Sequence, residues 1–141
     1  MNSYNSISMT QLAATVSDII VIEPPKQAAE KIDWLSELLK SYARGKVDRT
    51  VLYNPDAVAM WLFQNYTADF APVLKHTQVS VPLITVMPSV TPVCFASMYT
   101  GTLAEVHGIE KYEKPVVTID SLFDALIRAG KRVAIVAVKG S

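Results

Sequence analysis

The dipeptide Thr91-Pro92 stands at the start of a predicted helix, directly after an apolar run. Proline is favoured at the first helical position, which predicts Thr91 as the N-cap residue. The free N–H groups and the positive end of that helix would favour an anion beside the Thr91 hydroxyl. A hydroxyl is a weak nucleophile at neutral pH, so it needs a base or a metal ion to lower its pKa. The position therefore indicates either a helix cap or an activated nucleophile.

Asp56 is the carboxylate that the predicted elements bring closest to Thr91. It follows the predicted strand Thr50–Asn54. Thr91 likewise follows the predicted strand Val79–Met87. Ligands gather at the carboxyl ends of strands in open parallel sheets, so a carboxylate there could hold a metal ion close to the Thr91 hydroxyl. The residues alone leave a second interpretation open, in which Asp56 is a turn residue and Thr91 only caps the helix.

The segment PSVTPVCFASMYTGTLAEVHGI, residues 88–109, resembles the nucleophile segment of the alkaline phosphatase superfamily. It is similar to the nucleotide pyrophosphatase/phosphodiesterase branch, whose pattern runs Pro-Thr-x-Thr, then Thr-Gly a helix later, then His-Gly-Ile. The residues that fit this pattern are Pro88, Ser89, Thr91, Thr100, Gly101, Glu105, His107, Gly108 and Ile109. A wider likeness covers roughly residues 50–138, whereas residues 1–49 resemble no family that we recognise.

The resemblance implies a two-metal hydrolase. In that family two divalent metal ions, usually zinc, flank a scissile phosphate, and the threonine forms a covalent phospho-enzyme intermediate that water then cleaves. Carried over to this chain, Thr91 is the catalytic nucleophile and a metal ligand, and Asp56 is a metal ligand. The family's aspartate is usually followed by glycine, whereas Ala57 follows Asp56 here, which leaves Asn54 as the other candidate ligand. The implied substrate is a phosphodiester or nucleotide small molecule.

The family's remaining metal ligands have no match in the chain after Ile109. They are a later Asp with a His a few residues on, an Asp-His pair and a further His. The only histidines are His76 and His107. We expect His107 to be structural, as it is in the family's His-Gly-Ile element, and His76 to lie on a surface or loop. This chain is therefore predicted to be the N-terminal portion of a hydrolase whose site is completed by residues beyond Ser141.

The elements that would position these residues alternate between apolar runs and amphipathic segments. Strands are predicted at Thr50–Asn54, Val79–Met87 and Arg132–Val138, because runs that are apolar on both faces are typical of a buried parallel sheet. Helical spacing, caps and terminal glycines predict helices within KQAAEKIDWLSELLKSYARG (residues 26–45), AVAMWLFQNY (57–66), TPVCFASMYTG (91–101) and DSLFDALIRAG (120–130).

This order of elements predicts an α/β fold, a three-layer sandwich with a mostly parallel sheet. The sandwich is expected to be incomplete, because no helix follows the last predicted strand to cover it. We divide the chain into an N-terminal arm with an amphipathic helix, residues 1–49, and a partial alkaline phosphatase-like core, residues 50–141.

The amino-acid composition limits the classes of partner and the cellular location that we expect for this protein. Thirteen basic and thirteen acidic residues cancel, and the absence of a Lys/Arg cluster argues against a nucleic-acid patch. No apolar run approaches the ~20 residues of a membrane helix, and the N-terminus lacks the basic region of a signal peptide. The single cysteine, Cys94, excludes an internal disulfide and fits a reducing, cytoplasmic location. We expect Cys94 to act as a small buried hydrophobic residue.

Two other functions compete with the hydrolase. Half of the residues are hydrophobic and the mean hydropathy is +0.25, which is high for a soluble chain. A truncated, non-catalytic α/β module that acts by binding or self-association, as a homo-oligomer completing the sheet, would use such apolar surface. A nucleotide-binding domain is disfavoured, because neither GxGxxG nor GxxxxGK[ST] occurs.

Overall fold

The computed structural model describes residues 7–44, 47 and 49–137. In this part of the chain the regular elements are helical, and none of the helices is long and apolar enough to span a bilayer. Short 3-10 turns at Met9–Gln11 and Thr67–Phe70 precede the first and the fourth α-helix. The α-helices are α1 (Leu12–Ile19), α2 (Asp33–Ala43), α3 (Met60–Asn65), α4 (Ala71–Leu74), α5 (Thr91–Thr100), α6 (Ala104–His107) and α7 (Leu122–Arg128).

The predicted helix ends are confirmed where local chemistry specifies them. Helix α7 begins at a capping box, in which the Ser121 hydroxyl accepts from the Asp124 N–H and the Asp124 carboxylate accepts from the Ser121 N–H. Helix α5 ends at Gly101, whose φ of 75° is the left-handed conformation that glycine adopts without cost. These signals lie within a few residues of each terminus, so the sequence suffices to find them.

Helix α2 is shorter than its predicted span of residues 26–45. It begins at Asp33, after Ile32 takes an extended conformation, and it ends at Arg44 with φ of 50°. The predicted stop, Gly45, lies outside the described residues. The Lys26–Lys31 stretch is tied instead to other parts of the chain; the Lys26 N–H, for example, donates to Asp120 Oδ2 at 3.0 Å.

The predicted three-layer sandwich with a parallel sheet is wrong. The described residues form no strand and only one isolated parallel bridge, between Ser8 and Ile84. The three segments predicted as strands run as extended segments outside any sheet: Thr50–Asn54, Val79–Met87 and the described part of Arg132–Val138. Val138 itself lies outside the described residues.

The strand predictions failed because an apolar run indicates a preference for burial and does not show that a neighbouring strand is present to pair with it. Pairing depends on a neighbouring strand, which the residues of one segment do not specify. In the third of these segments most residues are exposed, with Ile135 at 66% and Val136 at 99%, and only Val133 is half-buried among residues 132–137.

The core lies around helix α5. The buried cluster on one side consists of Val86, Val93, Ala96, Ala104 and Ile109. Helix α5 also packs against α1, α6, α7 and the turn Met9–Gln11. Many buried residues of these helices are small, among them Ala13, Ala14, Ser97 and Ala125, so the helix backbones can approach one another closely.

Asp18 joins α1 to α2. Its carboxylate accepts a hydrogen bond from the Ser36 hydroxyl and forms ion pairs with Lys40 at 2.7 Å and Lys31 at 3.0 Å. The hydrogen bond with Lys40, followed by that with Ser36, holds the pKa of Asp18 far below its ordinary value. A second polar contact, from the Ile32 N–H to Thr15 Oγ1 at 2.9 Å, ties the start of α2 to α1.

Helices α3 and α4 form a separate small unit with the turn between them. Each helix contacts that turn, and Phe63 of α3 packs against Phe70 of the turn with ring centroids 5.2 Å apart. None of their residues is buried, and they contact no other described helix. This unit lies in sequence between Asp56 and Thr91.

Gly101 packs directly against the backbone of Ala28. A Cβ at this position would stand 2.5 Å from Ala28 Cβ and 2.8 Å from Ala28 Cα. The Gly101 carbonyl accepts a hydrogen bond from the Ala29 N–H at 2.8 Å. Only glycine permits this approach, which joins the loop before α2 to the end of α5.

His107 is buried in a pair with Ser97. Its Nδ1 accepts from the Ile109 N–H at 3.1 Å, which leaves Nε2 protonated and able to donate to Ser97 Oγ at 2.9 Å. Burial lowers the pKa of His107 below its ordinary value. The neutral ring links α6 to α5, which is the structural role that the motif implied.

We expect Gly101→Ala to destabilise the fold strongly, because the new methyl group meets Ala28 and the backbone is left-handed. The matched control is Gly130→Ala, where φ is 70° but no atom lies within 4 Å of the new Cβ. The control should cost about 1–2 kcal/mol for the conformation alone. Gly101→Ala should cost at least about 1 kcal/mol more from overpacking. Equal losses in denaturant unfolding would contradict the close contact.

The buried His107 predicts a pH dependence of stability. In the unfolded chain the imidazole binds a proton as pH falls through about 6.5, whereas the buried ring of the folded protein has a lower pKa and stays neutral. The free energy of unfolding should therefore decrease as pH falls from about 6.5 to the pKa of the folded state. Urea unfolding between about pH 7.5 and pH 5 measures this slope. His107→Gln should flatten it. The control His76→Gln removes an exposed imidazole and leaves the His107–Ser97 pair intact. If His107→Gln leaves the pH dependence of stability unchanged, His107 is not its source.

Candidate functional site

Thr91 is the first residue of helix α5. The sequence predicted it as the N-cap, but Val90 holds that place with extended dihedrals (φ −111°, ψ 149°), and Pro92 follows as the second helical residue. The first intrahelical bond confirms the boundary, since the Cys94 N–H donates to the Val90 carbonyl at 3.0 Å. The Thr91 hydroxyl is therefore not used as a cap and is available for other contacts.

Asp56 lies beside Thr91 although 35 residues separate them. Thr91 Oγ1 donates to Asp56 Oδ1 at 3.4 Å, a long hydrogen bond at an exposed position. The same Oδ1 accepts from the Ala57 N–H at 2.9 Å. Ala57 has φ of 57°, a left-handed conformation that is costly for any residue with a Cβ. The chain thus turns sharply directly after the carboxylate.

Asn54, the alternative ligand, makes a different contact. Its Nδ2 donates to Tyr99 Oη at 2.5 Å, in a partly buried position. Tyr99 lies on α5 two turns beyond Thr91, and burial raises its pKa. Of the two candidates, Asp56 is therefore the one whose side chain contacts the Thr91 hydroxyl.

The electrostatics of the site follow from the helix terminus. No side chain caps the N-terminus of α5. Pro92 has no N–H and Val93 is fully buried, so among the first three helical residues it is Thr91 that can present a backbone N–H to solvent. This end of the helix also carries the positive end of the helix dipole, which favours an anionic ligand such as a phosphate oxygen. The Asp56 carboxylate and the Thr91 hydroxyl beside this terminus could each supply an oxygen ligand to a cation.

The other residues of interest lie apart from this pair. Cys94 is partly buried, and its Sγ lies 3.4 Å from Thr85 Oγ1. It packs against the core cluster, in agreement with the expected hydrophobic role. His76 is exposed just past α4, as predicted, and His107 is buried against Ser97. Within the described residues, no group of three or more His, Cys, Asp or Glu could hold a metal ion.

Sequence analysis missed Tyr99. The only available signal was its spacing of eight residues from Thr91, which places both on one helix two turns apart. Nothing in the sequence indicated that its phenol would meet Asn54 from a distant extended segment.

Comparison with known proteins bears on this arrangement. The model of the type I phosphodiesterase/nucleotide pyrophosphatase family matches residues 50–125, a range that contains Asp56, Thr91 and the whole of α5. No curated protein and no solved structure matches the chain. The resemblance found in the motif is confirmed, and because the match covers more than half of the 141 residues, the chain belongs to the type I phosphodiesterase/nucleotide pyrophosphatase family.

Proposed function

We propose that this chain carries the nucleophile and one metal ligand of a phosphodiesterase or nucleotide pyrophosphatase-type hydrolase. The observation that carries the proposal is the contact between Thr91 Oγ1 and Asp56 Oδ1 at 3.4 Å. Both residues lie inside the region that matches the family. The substrate class is a small phosphodiester or nucleotide.

Asp56 and Thr91 could supply part of the ligand set of a divalent metal ion. Asp56 and Thr91 offer two oxygen atoms close together, and both residues are accessible to solvent. Zinc takes about four ligands, so this pair would supply two and leave the others to further groups. An ion bound there would lower the pKa of the Thr91 hydroxyl and offset charge on the phosphate. Zinc is the family's usual metal, and we carry it over as part of the proposal.

The residues of this chain then have distinct roles. Thr91 Oγ1 releases its proton to solvent and attacks phosphorus, so that a Thr–O–P bond forms. The bond to the leaving oxygen breaks with its electron pair going to that oxygen, which takes up a proton from water. Asp56 orients the hydroxyl by accepting its hydrogen bond. The Thr91 N–H and the positive end of the α5 dipole would stabilise the charge on the phosphate oxygens. Water then cleaves the phosphothreonine ester and restores the hydroxyl.

Ala57 supports the alignment of Asp56 with the family's metal-binding aspartate. That aspartate is usually followed by glycine in the pattern described above, and here the following residue is Ala57. Its φ of 57° is one that glycine adopts freely, so the backbone retains the turn although the residue type has changed.

The second candidate function is a non-catalytic module that acts by binding or self-association. Exposed apolar side chains favour it, among them Val51 at 88% and Val136 at 99%. Sedimentation over a range of concentrations tests it, and a monomer at all concentrations would count against self-association. Because the described residues form no sheet, self-association would use these exposed side chains and not the completion of a sheet.

The nucleophile is tested with Thr91→Val, which keeps the shape and removes the hydroxyl. In the product of the complete gene, with zinc and bis(p-nitrophenyl) phosphate, we expect kcat to fall by at least about 10³-fold. Thr91→Ser keeps a hydroxyl and should retain a measurable part of the activity, and exposed Thr77→Val serves as the control. Acid-quenched protein should carry the phosphoryl ester on the Thr91 peptide. Undiminished turnover by Thr91→Val would overturn the proposal.

Ala57→Gly should stabilise the protein by up to about 1 kcal/mol, since glycine removes the left-handed strain but adds unfolded-state entropy. Ala43→Gly, at the exposed last residue of helix α2, is the control with a right-handed backbone and should destabilise by up to about 1 kcal/mol. Denaturant midpoints measure both changes. A destabilised Ala57→Gly would argue against the strained turn beside Asp56.

A further inference from the structure

We propose that Asn54 and Tyr99 are a positioning pair that holds Asp56 within reach of Thr91. The inference rests on the function proposed above and adds two residues that do not touch the reacting atoms. The pair consists of the hydrogen bond from Asn54 Nδ2 to Tyr99 Oη at 2.5 Å, which joins residues 45 apart in the chain.

Tyr99 provides the fixed end of this pair. It lies on α5, the same helix as Thr91, about 12 Å along the axis at 1.5 Å per residue. Its ring packs against Phe123 of α7 with centroids 4.6 Å apart, and against Phe95 at 6.2 Å. The phenol oxygen is thereby held in a constant position relative to the Thr91 hydroxyl.

Asn54 provides the end that needs to be held. All residues from 49 to 60 are exposed except Asn54, which is partly buried. The segment belongs to no helix or sheet up to the start of α3. Its side-chain bond to Tyr99 is therefore a main attachment of the segment to the core.

The short connection from Asn54 to Asp56 transmits that attachment. Only Pro55 intervenes, and its ring fixes its own φ and restricts the residue before it to extended conformations. Anchoring Asn54 thus limits the positions that the Asp56 carboxylate can occupy. The second contact, from Asp56 to Thr91, is long and exposed, so it cannot provide this restraint by itself.

The two contacts bind one segment to one helix at two points. The Asn54–Tyr99 bond positions the segment, and the Asp56–Thr91 contact is where chemistry takes place. Loss of the phenol hydroxyl should leave Asp56 near Thr91 for a smaller fraction of the time. Groups that orient a metal ligand in this way typically contribute about 10–100-fold to metal affinity or activity.

The kinetic test compares Tyr99→Phe, which keeps the ring packing, with Tyr112→Phe at an exposed position. In the complete gene product at saturating zinc, Tyr99→Phe should lower kcat by about 10–100-fold with KM changed less than about twofold. Asn54→Ala should act alike, and the double variant should be no worse than either single one. Asn65→Ala, whose side chain bonds only its own helix, is the control for Asn54→Ala. Wild-type kcat in Tyr99→Phe would overturn the inference.

A second readout does not depend on activity. In a Cys94→Ala background, Asp56→Cys and Thr91→Cys provide two thiols whose oxidative cross-linking rate reports how often the two positions meet. Adding Tyr99→Phe should slow cross-linking by about tenfold or more, whereas adding Tyr112→Phe should not. Unchanged cross-linking in folded Tyr99→Phe, verified by circular dichroism, would overturn the positioning role. If Tyr99→Phe slows cross-linking but the unsubstituted gene product hydrolyses no phosphodiester, the positioning pair is supported and the proposed function is refuted.

Discussion

The close contact at Gly101 is the constraint on which the rest of the structure depends. It places the end of α5 against Ala28 without an intervening side chain, and the Ala29 N–H to Gly101 carbonyl bond fixes the spacing. Through it the loop before α2 is fastened to α5. The network around Asp18 then holds α2 on α1, and the small buried residues of these helices fit because the backbones are already close.

With one end of α5 fixed in the core, its other end presents the candidate site. The N-terminus of α5 is uncapped by any side chain and carries Thr91, while its last turn carries Tyr99 on the side of Asn54. The helix therefore links a rigid interior to an open surface where a phosphate could bind. A site built in this way gains precision from the helix and accessibility from the extended segment that brings Asp56.

The extended segments show where apolar pattern and structure part. Thr50–Asn54 and residues 132–137 have the composition of buried strands, yet Val51 and Val136 are almost fully exposed. Helical hydrogen bonds join residues four apart, so they are satisfied within the segment itself. A strand requires a partner at a distance, and the predicted sheet was wrong because a segment's own residues do not supply one.

The sequence by itself determined the helix end at Gly101, a helix start at Asp120 or Ser121, the family, and Thr91 as the residue most suited to the proposed chemistry. These depend on short-range signals, namely caps, terminal glycines and the spacing of a motif around Thr91. Only the tertiary structure decided that Asp56 and not Asn54 meets Thr91, that Val90 and not Thr91 is the N-cap, and that Tyr99 anchors the segment. Each of these depends on how distant segments pack, and packing is a property of the whole chain that no local pattern encodes.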